Sequence, residues 1–239
     1  MAKRPDVIIL CGGAGLRLRD VIGNLPKGMA ELAGRPFLEI LLRQLRRHGF
    51  ERVVLAVGYQ KDAILSHFGA SAFGLSVVYS PEARPLGTGG ALRNAAALVN
   101  SESVLVMNGD SYTDADLVEF VAHHDAVPAS VSLVVVPVEG RNDCGSVEVG
   151  ERGAVLRFAE KEHGSSNAFL NAGIYMMPRR LLWEIPGERE VSLERELFPR
   201  WLAERMPINA FRCNAPCVDI GTPDRYRLAQ DSLAATESL

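Results

Sequence analysis

The sequence predicts an α/β fold, with a mostly parallel central sheet and helices on both faces. Three observations carry that prediction. Short apolar runs alternate with helical stretches through the first half of the chain, and repeated strand-then-helix order builds parallel sheets. Those runs are nearly continuously apolar, as strands covered on both faces are. Several of them empty into turns rich in glycine, asparagine and aspartate. The carboxyl ends of strands are where open α/β sheets bind ligands.

Each element has its own local reason. Val7–Leu10 is an apolar run that reads as a buried strand. Pro36–His48 places Phe37, Ile40, Leu41 and Leu45 on one helical face, and Gly49 closes it. Arg52–Val57 is the next strand, Lys61–Phe68 a short helix and Leu75–Tyr79 a third strand. The turn Pro85-Leu86-Gly87-Thr88 leads into an alanine-rich helix over Gly89–Val99. Ser103–Met107 is a fourth strand, ending at Asn108-Gly109-Asp110.

The second half changes character. Ser130–Val138 is a long β-branched run, and Phe169–Met177 is another strand. Gly145–Val149 and Ala154–Glu160 read as a strand pair around Gly150-Glu151-Arg152-Gly153. Ser192–Arg205 reads as a helix N-capped by Ser192. Ile208–Cys213 and Cys217–Ile220 are the last strands. Thr222-Pro223-Asp224 then opens a final helix with an N-cap, a proline at the first helical position and a carboxylate near the positive end of the dipole.

Length and composition bound the function. The 239 residues are 47% hydrophobic and 23% charged, which suits a globular protein with one sizeable core. They read as a single domain over residues 1–239, with halves of about 1–125 and 126–239. The formal net charge of −3 argues against a nucleic-acid binder, which is usually basic. No apolar stretch reaches the length of a membrane span, and the N-terminus lacks signal-peptide architecture. Cys11, Cys144, Cys213 and Cys217 form neither a zinc spacing nor a disulfide framework. A reducing, cytoplasmic home is the expectation.

The chemistry starts at Leu10-Cys11-Gly12-Gly13-Ala14-Gly15-Leu16-Arg17-Leu18, followed by Pro26-Lys27. Glycines let a backbone approach a ligand closely. Successive amides in such a turn form a concavity suited to phosphate. Arg17 and Lys27 add positive charge for a polyphosphate. The spacing is neither a P-loop, since no Lys-Ser/Thr follows, nor a dinucleotide fingerprint, since Leu18 stands where the third glycine belongs.

In order along the chain, these motifs resemble the sugar-1-phosphate nucleotidylyltransferases, and the resemblance runs from Val7 to about Gln230. Beyond the glycine loop and Pro26-Lys27, it rests on Pro85-Leu86-Gly87-Thr88-Gly89-Gly90-Ala91 and Asn108-Gly109-Asp110. Glu160-Lys161, Asn171-Ala172-Gly173-Ile174-Tyr175 and Asp219-Ile220-Gly221-Thr222-Pro223 complete it. One departure stands out: Leu16 occupies the place of the usual Thr or Ser. The Cys-Gly-Gly start and the Leu-Gly-Thr-Gly-Gly turn most resemble the D-glycero-α-D-manno-heptose-1-phosphate guanylyltransferases. Mannose-1-phosphate guanylyltransferases and N-acetylmuramate-1-phosphate uridylyltransferases are the close alternatives.

The resemblance implies a Rossmann-like, GT-A-like nucleotidyltransferase fold with a small sugar-binding β subregion. It implies a reaction in which NTP and a sugar 1-phosphate give NDP-sugar and pyrophosphate, supplying surface polysaccharide such as capsule. Arg17, Lys27, Asp110 and Lys161 would be catalytic. Leu10, Cys11, Gly12, Gly13, Ala14, Gly15, Leu86, Gly87, Thr88, Gly89, Gly90, Asn108 and Gly109 would line the nucleotide. Gly145, Glu160, Lys161, Asn171, Ala172 and Gly173 would hold the sugar phosphate. Asp110 and Asp219 would hold Mg²⁺, a cation that favours hard oxygen ligands. The implied partners are these two small molecules, with neither nucleic acid nor membrane, and a homodimer is the candidate assembly.

Read alone, each residue has a plainer role. Asp110 and Asp219 are equally good turn residues. Lys161 sits in a charge cluster with Glu160 and Glu162. Strand-like alternation puts Arg17 and Arg19 on one side and leaves open which meets phosphate. His48, His123 and His124 end helices, where they compensate the dipole. Trp183 and Trp201 read as helix core residues. Two rival functions follow. One is a glycosyltransferase whose metal carboxylates come from Asp110-Ser111-Tyr112-Thr113-Asp114; the other is a non-catalytic nucleotide-binding module.

Overall fold

A computed structural model describes residues 4–138, 145–160, 168–187 and 189–234. Cys144, Lys161 and Glu162 lie outside the described residues. The first half runs β1 (Asp6–Leu10), α1 (Arg19–Ile22), β2 (Glu31–Leu32), β3 (Arg35–Pro36), α2 (Phe37–Arg47), β4 (Arg52–Val57) and α3 (Lys61–Phe68). It continues through β5 (Ser71–Ala72), β6 (Leu75–Pro81), α4 (Gly87–Ala95), β7 (Ser103–Asn108), β8 (Ser111–Thr113) and α5 (Leu117–Ala126). The second half runs β9 (Val131–Pro137), β10 (Gly145–Val149), β11 (Val155–Glu160), β12 (Ala168–Pro178) and α6 (Arg179–Glu184). It closes with α7 (Phe198–Ala203), β13 (Ile208–Arg212), β14 (Cys217–Asp219) and α8 (Pro223–Ala234).

One mixed sheet spans both halves in the order β11-β10-β12-β7-β1-β4-β6-β5, with β9 paired to β12 and β13. Strands β7, β1, β4 and β6 form its parallel block. Strand β12 lies antiparallel to β7, with Tyr175 opposite Val106. Through β12 the second half joins the first along a continuous hydrogen-bonded seam.

The alternation of side chains explains why this sheet is covered twice. On β1, Val7 and Ile9 enter one core cluster and Ile8 enters the other. Phe37, Leu38, Leu41 and Leu45 of α2 cover the first face. Ala91, Leu92 and Ala95 of α4 cover the second, together with Tyr175, Phe198 and Trp201. Every position of a doubly covered strand sees apolar neighbours, so its sequence is an uninterrupted apolar run.

Four expectations change. The helix expected over Gly89–Val99 starts earlier, at Gly87, and ends at Ala95 with a tighter turn over Ala96–Leu98. The helix expected over Ser192–Arg205 begins as a π-helical turn, Leu193–Leu197, and becomes α-helical only over Phe198–Ala203. Pro199 has no amide to donate, and the Leu197 amide bonds to Ser192 O at 3.1 Å, five residues back. Ser192 is the N-cap, accepting from the Arg195 amide.

Trp201 is buried, but Trp183 is 50% exposed, because the six-residue α6 turns it outward and Arg93 stacks on its ring at 4.4 Å. The histidines ending α5 have specific partners rather than a general dipole role. His124 meets Ser132 Oγ at 2.8 Å and His123 meets Asn209 Oδ1 at 2.9 Å.

Candidate active site

A cavity of about 630 Å³ opens at the carboxyl ends of β1, β4, β6 and β7. Leu10–Ala14, Lys27, Gly28, Gly58, Tyr59, Glu82–Thr88, Ala91, Asn108–Asp110 and Glu190 line it. The three turns singled out by sequence, at residues 12–15, 85–88 and 108–110, therefore meet at one place. The meeting is forced by topology, since β1 lies between β7 and β4.

Glycine is required where backbones touch. A Cβ on Gly109 would fall 2.7 Å from Leu10 O, the carbonyl that accepts the Gly109 amide. A Cβ on Gly12 would fall 2.6 Å from Glu82 Oε1 and 3.3 Å from Gly58 N. Gly15 adopts φ 57°, in the left-handed region. The chain then coils into a tight turn over Leu16–Leu18 instead of extending. Strand alternation therefore does not apply. Arg17 is exposed and stands outside the cavity lining, whereas Arg19 is half-buried, with its guanidinium 5.1 Å over the Tyr59 ring. Leu16 is 68% exposed, so no apolar pocket receives the residue that departs from the family pattern.

Lys27 reaches across the cavity, with Nζ 2.6 Å from Asp110 Oδ2. Asp219 arrives beside this pair because β14 pairs antiparallel with β8, placing Asp219 opposite Ser111. The Ile220 amide also bonds to Asp110 O at 3.0 Å. Asp219 Oδ1 accepts from the Gly221 amide at 2.6 Å and from Arg225 Nη1 at 3.1 Å. Both Lys27 and Asp219 crowd Gly221: a Cβ there would lie 2.7 Å from Asp219 Oδ1 and 3.5 Å from Lys27 Nζ.

Among the described residues no group of three or more His, Cys, Asp or Glu converges. Two carboxylates completed by substrate phosphates and water are nonetheless what Mg²⁺ uses. The Lys27 ammonium already sits as a cation on one of them, so this donor set fits a divalent cation.

The residues expected on the sugar side form a hydrogen-bonded relay. Asn171 Oδ1 accepts from the Gly173 amide at 3.0 Å, and its Nδ2 donates to Tyr175 Oη at 2.8 Å. Tyr175 donates to Glu194 Oε1 at 3.1 Å, and Glu194 Oε2 accepts from Thr88 Oγ1 at 2.8 Å and from Ser192 Oγ at 3.1 Å. Burial first, and the Glu194 charge second, push the Tyr175 phenol well above its ordinary range. It therefore stays a neutral donor. Thr88 and Asn171 are thus coupled through Tyr175 and through Glu194, which sequence reasoning did not single out.

Gly173 has φ 75°, and a Cβ there would fall 2.8 Å from Asn108 Nδ2 and 2.8 Å from Ser111 Oγ. Ser111 Oγ in turn donates to Ala172 O at 3.1 Å. Asn108 Oδ1 is buried without a hydrogen-bond partner among the described residues. Gly145 and Glu160 pair at the end of the β10–β11 ladder, and Lys161 lies outside the described residues.

Three further groups are sorted by their surroundings. Burial, and secondly Glu82, push the Cys11 thiol up, and it donates to Ala56 O at 3.2 Å. It is a packed wall residue rather than a nucleophile. Asp114 is tied to Arg47 and stands outside the cavity lining, so the glycosyltransferase carboxylate pair does not form. Glu82 lines the cavity and accepts the Leu86 amide at 3.3 Å. No local motif in the sequence marks it.

The sequence profile of the family described as Nucleotidyl transferase matches residues 6–236. The chain is 37% identical to a mannose-1-phosphate guanylyltransferase of Mycobacterium tuberculosis over 92% of its own length. It spans only 62% of that relative. It is 33% identical to the D-glycero-alpha-D-manno-heptose 1-phosphate guanylyltransferase of Aneurinibacillus thermoaerophilus, covering 95% of this chain and 98% of that one. The crystal structure of HddC from Yersinia pseudotuberculosis complexed with GMP-PN superimposes with a TM-score of 0.83 at 30% identity, over 96% of this chain and 100% of that one.

Proposed function

The chain belongs to the Nucleotidyl transferase family, and from that premise we propose that it transfers GMP from GTP to D-glycero-α-D-manno-heptose 1-phosphate, releasing pyrophosphate and GDP-heptose. The observation that carries this reading is the convergence of Lys27, Asp110 and Asp219 beside the glycine loop. The near full-length likeness to guanylyltransferases that use heptose 1-phosphate supports the choice of substrate.

The reaction needs electrostatics more than proton transfer. A sugar phosphate with its second pKa near ~6 is largely dianionic at neutral pH, so its oxygen needs no general base. It attacks the α-phosphorus as the bond to the β-phosphate bridging oxygen breaks, and pyrophosphate leaves carrying the charge. Two anions must therefore be brought together.

Lys27 contributes its ammonium to the α-phosphate once substrate competes with Asp110 for it. The amides of Gly12–Gly15 serve the departing pyrophosphate, and Arg17, on the exposed turn that follows them, is assigned to the same group by the family resemblance alone. Asp110 and Asp219 would hold Mg²⁺, which when bound would neutralise phosphate charge and orient the reacting oxygens. Lys161 binds the sugar phosphate, Glu160 and Asn171 bind hydroxyls, and Gly173 leaves room for the ring.

The same reading assigns residues 1–125 to the nucleotide and 126–239 to the sugar phosphate. It extends to a cytoplasmic homodimer whose product supplies capsule or another surface polysaccharide. Among the described residues no helix is long and apolar enough to cross a membrane. The 37% identity to a mannose-1-phosphate guanylyltransferase favours mannose 1-phosphate as the second substrate reading.

The test is pyrophosphate release from each NTP with a panel of sugar 1-phosphates in Mg²⁺. Release with GTP and heptose 1-phosphate is expected. Turnover with mannose 1-phosphate alone replaces the sugar, and turnover with UTP alone replaces the base.

A further inference from the structure

Two cysteines that no step of the reaction uses meet at one point of the fold. Cys213 follows β13 and Cys217 opens β14, with Asn214, Ala215 and Pro216 between them. Thr113, buried at the end of β8, lies against both. Its Oγ1 is 3.9 Å from Cys213 Sγ and donates to Ala215 O at 3.4 Å, in the middle of the connecting loop. Across the β8–β14 ribbon, Thr113 is also the register partner of Cys217. Directly opposed residues share a face of the ribbon, with Cβ atoms about 4.5–5.5 Å apart. Both thiols therefore flank one threonine side chain, and both pack in the same apolar cluster.

Their access differs in the way thiol–disulfide exchange requires. Cys217 is partly exposed, whereas Cys213 is 9% exposed. A small disulfide from solution reaches Cys217 first. The Cys217 sulfur attacks it, forming a mixed disulfide and releasing one small thiol. Cys213 then attacks the Cys217 sulfur and expels the second. The small disulfide thus takes up two electrons and two protons and leaves as two thiols, while one bond forms between Cys213 and Cys217. Three intervening residues close too small a loop to gain much from chain entropy. Such a bond is readily reduced, as sensing disulfides are and structural ones are not. Cys11 does not compete, since its buried thiol donates to Ala56 O in the cavity wall.

The bond has a consequence for the candidate site. The ribbon holds only three residue pairs, Cys217 with Thr113, Val218 with Tyr112 and Asp219 with Ser111. Drawing Cys217 toward Cys213 pulls it off Thr113, and Asp219, two residues on, moves with it. The Ile220 amide bond to Asp110 O, 3.0 Å long, is what keeps Asp219 beside Asp110. We propose that Cys213 and Cys217 form a reversible disulfide that displaces Asp219 from Asp110 and switches the site off under oxidation. The bond itself is independent of the guanylyltransferase reading; the loss of turnover rests on it.

The experiment incubates the reduced full chain with glutathione disulfide, alkylates the remaining thiols and digests with trypsin. Both cysteines fall in one tryptic peptide, residues 213–225. That peptide is expected unalkylated and two hydrogens lighter. Hydrogen exchange at the β14 amides should quicken, and pyrophosphate release in Mg²⁺ should fall at least about tenfold, the scale of a disturbed metal ligand. Dithiothreitol should reverse all three. Cys144→Ser should respond as the wild type does, and Cys217→Ser should keep its turnover in the oxidant.

A 213–225 peptide that stays fully alkylated overturns the proposal. So does a disulfide that leaves β14 exchange or turnover unchanged, or a Cys217→Ser protein that the oxidant still inactivates. If the bond and the faster exchange appear in a chain that releases no pyrophosphate in either state, the disulfide and its pull on β14 stand and the guanylyltransferase reading falls.

Discussion

The relay from Asn171 to Thr88 turns on one hydroxyl, and Tyr175→Phe removes it while leaving the ring packing in place. Tyr175 is 0% exposed, so no bulk water replaces the lost group. The 3.1 Å bond to Glu194 Oε1 and the 2.8 Å bond from Asn171 Nδ2 are lost, together with the contact to the Asn108 amide. A bond to a charged acceptor is worth about 1.5–3 kcal/mol and a neutral one about 1 kcal/mol. Glu194 keeps Thr88 and Ser192 on its other oxygen and is only half-buried, which places the total near the low end, about 2–3 kcal/mol.

For a chain of this length that corresponds to a fall in Tm of roughly 5–10 °C. The Asn171 amide, no longer held through Nδ2, should also lose its fixed pose toward the sugar and raise KM for the sugar phosphate more than it lowers kcat. Thermal melts and steady-state pyrophosphate release measure both effects. A double-mutant cycle with Glu194→Gln should show about 1 kcal/mol of coupling. A Tm within about 1 °C of the wild type, or additive effects in the cycle, would refute the relay.

Two further outcomes are expected. Asp110→Asn should lower Mg²⁺-dependent turnover by about a hundredfold or more, with a melt close to wild type because its partner Lys27 and its own carboxylate are partly solvated; retained turnover would remove Asp110 from the metal site. Burial, outweighing the Asp125 charge, holds the His124 imidazole below its ordinary value. The unfolded chain therefore takes up a proton first as pH falls, so this contribution to stability is complete above about pH 6.5 and is lost below it. Urea midpoints at about pH 7.5 and pH 5.5 should show that loss, and His124→Gln should flatten it; an unchanged pH slope in the variant would show that other groups cause it.

Much of this site was legible because its parts are local. Arg52–Val57 and Lys61–Phe68 have the bounds the sequence predicts, since a β-branched run and a helical stretch between turn residues need no distant help. Lys27 and Asp110 were both marked by flanking motifs, and their 2.6 Å contact only brings together what sequence had named. Glu82 and Glu194 were illegible for the opposite reason. Each is an ordinary acidic residue in its local setting, and its significance comes from a cavity wall or a seam that forms only when distant strands pair. Arg17 and Arg19 illustrate a different gap. Their assignment depends on whether four residues after a glycine extend or coil, and Gly15 at φ 57° decides for the coil.

The antiparallel seam between β12 and β7 is what makes the two halves act together. Asn171, Gly173 and Tyr175 lie on β12, and Asn108 ends its neighbour β7. A shift of one residue in that register would turn Tyr175 from its core to the opposite face, breaking the link to Glu194 and Thr88. Asn171 and Tyr175 on the relay side are therefore tied through Glu194 to Thr88 in the cavity lining, and the register is held by the apolar residues Ile174 and Met176, which enter the opposite cluster. Asn171 and Gly173, the residues proposed to meet the sugar, thus inherit their geometry from core packing on the other side of the sheet. The prediction for Tyr175→Phe follows from that arrangement: it spares the packing that sets the register and cuts only the polar link that the register makes possible.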